Sequence, residues 1–162
     1  MPMPTGYSRA QIALHWVIFL LIVPQYLLHE HISQAWGKIE RGQEIAFHPL
    51  IAAHVIGGAL ILALMIWRIV LRRSRGAPPF PSEEPLAMHW IARLTHVGLY
   101  ALLLLMPVSG AAAWFGGVGA AAEAHEVMRI LLLALIVLHI LGALYHQFVL
   151  KTDIMARMKR AG

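Results

Sequence analysis

The chain contains no cysteine. Disulfides, thiolate metal sites, iron–sulfur clusters and thioether-linked cofactors are therefore excluded. Charge is also scarce. Only 13% of the 162 residues are Asp, Glu, Lys or Arg, where a soluble domain carries about 25%. The charge that exists leans positive, with 13 Lys and Arg against 8 Asp and Glu. That balance raises nucleic acid as a partner, but no nucleic-acid motif is present. The basic residues gather beside hydrophobic ends, where they report membrane topology. Nucleic acid is excluded as a partner, and membrane lipid takes its place.

Apolar sequence is abundant. Hydrophobic residues make up 59% of the chain, and the mean hydropathy is +0.68. Four runs, at about 11–28, 50–71, 90–114 and 125–150, each supply close to the ~20 residues that cross a bilayer. A backbone in lipid must satisfy its own hydrogen bonds, so these runs are helices. The expected fold is all-α: one domain over residues 1–162, an up-down-up-down transmembrane four-helix bundle. The first run is read as a retained span rather than a cleaved signal, because no small-x-small site follows and it carries His15. Pro24 and Pro107 should kink spans one and three. Three connections remain: a polar loop at 29–49, a basic patch leading into a stiff Pro-rich linker at 72–89, and a short Gly/Ala-rich loop at 115–124.

Lys and Arg set the orientation. Arg9, Arg68, Arg72, Arg73, Arg75, Arg93, Lys151, Arg157, Lys159 and Arg160 fall on one side, and Lys38, Arg41 and Arg129 on the other. The positive-inside rule then puts both termini in the cytoplasm, with the protein multi-pass in a plasma membrane.

Ten histidines interrupt this oily chain. An imidazole in hydrocarbon is costly unless something binds it. One histidine in a span is explained by a hydrogen bond to the next helix. Four at matched depths on three helices need more. His54 lies in the outer half of span two and His15 in the inner half of span one. His125 and His139 lie fourteen positions apart on span four, which returns them to within about 40° of each other at a rise of about 21 Å. Two haems stacked through a bundle need that spacing, each gripped by one histidine of span four and one from a neighbour. Depth pairs His54 with His125. For His15, depth alone points to His146. However, His139 and His146 share a face only about 10 Å apart, and His125 and His146 stand about 31 Å apart, so the two-haem spacing favours His139. Gly57 and Gly142 each follow a ligand candidate by three residues and leave room for a flat ring. With both axial positions filled, such haems carry electrons rather than bind oxygen. No catalytic side chain is identified.

The remaining signals are weaker. His96 and His146 are candidates for a haem propionate contact or a quinone pocket near the inner haem, together with Ser8, Arg9, Gln11 and Arg68. His29, His31 and His48 resemble loose zinc or copper chelation, with no second motif in support, and a solvated loop is the reading taken. Trp16, Trp67, Trp90 and Trp114 sit near span ends as interfacial anchors.

The pattern resembles the bacterial cytochrome b561 family of small dihaem membrane proteins, over nearly the whole chain. The residues that carry the resemblance are Tyr7-Ser8-Arg9 with Gln11 and His15-Trp16, then His54 before Gly57-Gly58, and Arg68. The stretch Leu105-Met106-Pro107-Val108-Ser109-Gly110, then His125-Glu126, His139 and His146, complete it. The resemblance implies two haem b groups, held by His15 with His139 and His54 with His125, in a bacterial inner membrane. It also implies electron transfer between an outer-face donor and quinone. Some members look like superoxide oxidases that pass electrons from superoxide to ubiquinone; others serve as haem subunits of a dehydrogenase or hydrogenase, docking a redox protein. This chain looks closer to the former. One departure stands out: Lys38, Arg41 and Arg129 face Glu30, Glu40, Glu44, Glu123 and Glu126 on the outer side, whereas an enzyme drawing in an anion should be positive there.

Overall fold

The protein is described from a computed structural model, which covers residues 6–79 and 85–162. Part of the Pro-rich linker, residues 80–84, lies outside the described residues. Among the described residues six helices follow in order: α1 (Arg9–Leu27), α2 (His29–Glu40), α3 (Pro49–Arg75), α4 (Leu86–Gly116), α5 (Gly119–Tyr145) and α6 (Ile154–Arg157). A single π-helical turn, His146–Leu150, extends α5. Four elements are long and apolar enough to cross a membrane: α1, α3, α4, and α5 with its π-turn. Between 6% and 22% of the residues in their most apolar stretches are fully buried within the protein; the others are partly or wholly open, where a bilayer would cover them.

Neighbouring spans pack in sequence, α1 on α3, α3 on α4 and α4 on α5. By contrast, α5 meets α1 and α3 at no more than isolated points. A small core of Ile18, Ile61 and Met65 closes the α1–α3 side, with Tyr100, Leu103 and Leu104 of α4 against it. The bundle is therefore tight along one wall and open along the other.

Both ends are tied. At one end Ser8 caps α1 in a reciprocal box with Gln11. The Gln11 amide also donates to the Gly76 carbonyl at 3.0 Å, joining α1 to the end of α3. The tail returns to this end. Trp16 Nε1 donates to the Met158 carbonyl at 2.9 Å, and Arg157 donates to the Pro79 carbonyl at 2.8 Å. At the other end the Tyr26 hydroxyl donates to the Arg129 carbonyl at 2.8 Å.

Two expected loops are helical instead. Residues 29–49 begin with α2, because Ile32, Ala35, Trp36 and Ile39 repeat at i, i+3, i+4 and i+7. Ala35 is buried and the charged residues point away, so polar composition had masked an amphipathic helix. The stretch 115–124 holds only a tight reversal at Gly117 and Val118 before α5 begins, since Ala120, Ala121 and Ala122 are strong helix formers. The spans also run several residues past their apolar cores, α3 as far as Arg75 and α4 from Leu86.

Gly117 caps α4 in the left-handed region, at φ 64°. A β-branched side chain pays about 1–2 kcal/mol there. Gly117→Val is expected to lower thermal stability in detergent by that amount, whereas Gly116→Val, whose added Cβ meets only the side chain of Val118 at 3.5 Å, should cost less.

Candidate functional site

The open side of the bundle is where the histidines meet. His54 of α3 and His125 of α5 face each other, ring centres 6.4 Å apart. His15 of α1 and His139 of α5 do the same at 6.0 Å. Two metal–nitrogen bonds of about 2 Å, each with about 1 Å more to the ring centre, span about 6 Å. Both pairs have the separation of two imidazoles on opposite sides of one iron. Since α5 is continuous helix between His125 and His139, the fourteen-residue step puts the two pairs about 21 Å apart along its axis.

The donor chemistry fits as well. Nδ1 of His125 lies 2.9 Å from the Met106 carbonyl and 3.2 Å from Ser109 Oγ. A carbonyl only accepts, so Nδ1 carries the proton and Nε2 is left with a lone pair for a metal. Nδ1 of His54 is buried without a hydrogen-bond partner among the described residues. The cavity between them, about 350 Å³, is lined mainly by apolar side chains, including Leu62, Leu103 and Leu132 beside His54, His125 and Arg129. That volume lies within the ~300–1,000 Å³ typical of cofactor clefts.

Helix α4 explains why His125 sits as it does. Pro107 lies inside α4 and cannot donate to the Leu103 carbonyl. Gly110 follows one turn after Met106, and a Cβ there would stand 3.0 Å from His125 Cε1 and 3.2 Å from Nδ1. The Met-Pro-x-Ser-Gly stretch thus supplies an acceptor, a hydroxyl and a gap for one imidazole. On the glycine expectation the structure is mixed. Gly142 does face open space, but the place beside Gly57 is taken by the Gln25 amide, and Gly58 lines the cavity instead.

At the other pair, the His96 ring lies edge-on to His139 at 5.2 Å, closer than His15 does. Its Nδ1 donates to the Ala92 carbonyl of its own helix at 2.6 Å. Arg68 sits close by, donating to the Tyr100 hydroxyl at 3.1 Å and the Gln11 carbonyl at 2.9 Å. Trp16 packs edge-on to His15 at 5.3 Å.

Other expected site residues are placed differently. The side chains of Ser8 and Gln11 are engaged in the α1 cap. Arg9 is exposed. His146 opens the π-turn with Nδ1 3.1 Å from Thr152 Oγ1 and its ring against Tyr145. Of the outer histidines, His31 and His48 come within 5.4 Å of each other, while His29 turns to Glu126 at 3.5 Å. Among the described residues no group of three or more His, Cys, Asp or Glu is arranged to hold a metal ion. Sequence reasoning missed Met106, Ser109 and Gly110 as partners of His125. A proline followed three residues later by glycine inside a span was the available signal.

Residues 6–161 match the family described as prokaryotic cytochrome b561. The chain is 34% identical over 160 residues to cytochrome b562 of Cereibacter sphaeroides, with 96% of each chain covered. It is 31% identical over 180 residues to the probable superoxide oxidase CybB of Yersinia pestis, with 94% of each covered.

The facing pairs make His15, His54, His125 and His139 the candidate ligands and His96 a candidate neighbour. If each pair holds one haem, replacing any one of the four by Ala is expected to lower bound haem by one per chain, and His96→Ala to leave it unchanged. A haem-to-protein ratio on each purified variant checks this; loss of haem in His96→Ala alone would reassign the inner pair.

Proposed function

Because this chain belongs to the prokaryotic cytochrome b561 family, a family of membrane electron carriers, we propose that it moves electrons from superoxide at its outer face to ubiquinone near its inner face. The observation that carries this reading is the pair of facing imidazoles at each of two depths, at 6.4 Å and 6.0 Å. Haem b held at each pair would cycle between ferric and ferrous iron and so relay one electron at a time.

The chain's own part is to hold and insulate. His54 and His125 fix the outer site, and His15 and His139 the inner one. Carbonyl and hydroxyl partners fix the His125 ring, and apolar walls exclude water. Arg68 and His96 are the proposed contacts for a haem propionate at the inner end. Two superoxide ions release two electrons and leave two oxygen molecules; ubiquinone takes both electrons with two protons to become ubiquinol. The quinone pocket is proposed beside the inner site, near Ser8, Arg9, Gln11 and His146. Arg9 and His146 carry most of that proposal, because Ser8 and Gln11 also serve the helix cap. The cytoplasmic position of both termini belongs to the same reading and rests on the arginine-rich inner end.

A second reading is favoured by the outer end itself. Arg129 lines the outer cavity but is bound by Glu126, and His29 approaches the same carboxylate. With Glu30, Glu40, Glu44 and Glu123 nearby in sequence, this end is a poor funnel for an anion and a good dock for a basic redox protein. The chain would then be a haem-b electron-transfer subunit of a dehydrogenase or hydrogenase.

Stopped-flow mixing with superoxide and a short-chain ubiquinone distinguishes the two readings. The first expects haem reduction followed by one ubiquinol per two superoxide ions. Absence of haem reduction by superoxide, with co-purification of a redox partner, establishes the second. Arg9→Ala and His146→Gln, with normal haem content, are expected to slow quinone reduction about tenfold; unchanged kinetics in both would remove the pocket.

A further inference from the structure

The two imidazole pairs stand in opposite electrostatic settings. At the outer pair, the Nδ1–H of His125 donates to the Met106 carbonyl at 2.9 Å. A ligand imidazole that gives up its second proton to an acceptor becomes more electron-rich and favours the oxidised metal. The nearby cation, Arg129, is bound through Nε to both oxygens of Glu126 at 3.1 Å. Its charge is cancelled at the cavity wall.

At the inner pair no carboxylate among the described residues cancels the cation. Arg68 is half-buried between α1, α3 and α4, and its partners are the neutral oxygens of Tyr100 and Gln11. Arg72 adds a second guanidinium over the Tyr100 ring at 5.5 Å. Among the described residues the acid at this end is Asp153, which pairs with Arg157 at 2.9 Å. The remaining inner arginines follow the positive-inside rule and are screened by salt within about 8 Å. Arg68, inside the bundle, is screened far less.

We infer that the chain itself fixes the direction of electron flow, by giving the His54/His125 site a low affinity for the electron and the His15/His139 site, beside Arg68, a high one. This rests on the dihaem reading above and adds a gradient to it. The sign at the inner site does not depend on detail. A guanidinium facing the ring stabilises the added electron directly, and one facing a propionate does so by cancelling that carboxylate.

The test is a potentiometric titration of the full holoprotein, followed in the haem absorption bands. Two midpoints are expected, separated by at least a tenfold preference for the inner site, about 59 mV for one-electron couples. His125→Ala should retain the higher midpoint. Arg68→Gln should lower the higher midpoint by a similar factor and leave the lower one in place, and Arg68→Lys should restore it. Gly110→Ala should do the reverse, raising the lower midpoint by pushing His125 off the Met106 carbonyl. If Arg68→Gln fails to bind haem, the wild-type and Gly110→Ala titrations decide. A wild-type haem-to-chain ratio of one would sink the dihaem reading itself. A ratio of two with coincident or reversed midpoints, or an unmoved upper midpoint in Arg68→Gln, would overturn the gradient alone.

Discussion

The structure depends on one constraint: α5 stands away from α1 and α3, and imidazoles face each other across the gap. Hydrocarbon side chains do not keep such a space open unaided, because a lining without partner atoms forfeits its dispersion contacts. Nor do imidazoles stay in an apolar cleft without something to bind. The tight packing on the other wall, of α4 on α5 and of α1 on α3, holds the frame against collapse. Ile18, Ile61 and Met65 brace α1 and α3 against α4, and Ile61 also lines the outer cavity.

From that constraint the local irregularities acquire reasons. Gly110 is a poor choice for a helix interior, yet it leaves room for the His125 ring beside the Met106 carbonyl that accepts from it. The amphipathic α2 returns the chain from α1 to α3 along the outer surface while burying only Ala35. The two ends then differ in kind. The outer end is a paired cluster of Glu126, Arg129 and His29, and the inner end is an excess of arginine with few carboxylates.

Much of this was legible in the sequence because a membrane simplifies the code. Span number follows from the lengths of apolar runs, and the histidines stand out against them because burial of an imidazole is expensive. The fourteen-residue step on α5 needed only the helical repeat. Depth did not separate His139 from His146 as the partner of His15, because residue counting does not supply how far each helix end lies from the bundle mid-plane; in the structure the His15 ring meets His139. The α2 helix was hidden by polar composition, although its i, i+3, i+4, i+7 repeat was present. Ser8 and Gln11 carry two readings. Their proximity to the inner end suggested a ligand contact, whereas Ser-x-x-Gln before an apolar run is also a capping box.

Direction of transfer is the point at which charge placement becomes function. In the proposed orientation, an electron moving inward travels against a membrane potential that is negative inside. The potential is worth about 2.3 kcal/mol per 100 mV for a full crossing. Sites about 21 Å apart in a core of about 30 Å would feel some two-thirds of it. A relay between identical sites would therefore stall or run outward. Any unit charge within about 8 Å of a site, at an effective dielectric constant near 20, is worth about 2 kcal/mol or more. That is the size of the opposing step. Arg68 need not touch the path of the electron to decide its direction; it has only to remain charged and half-buried, with no carboxylate partner among the described residues, as it is among the oxygens of Tyr100 and Gln11.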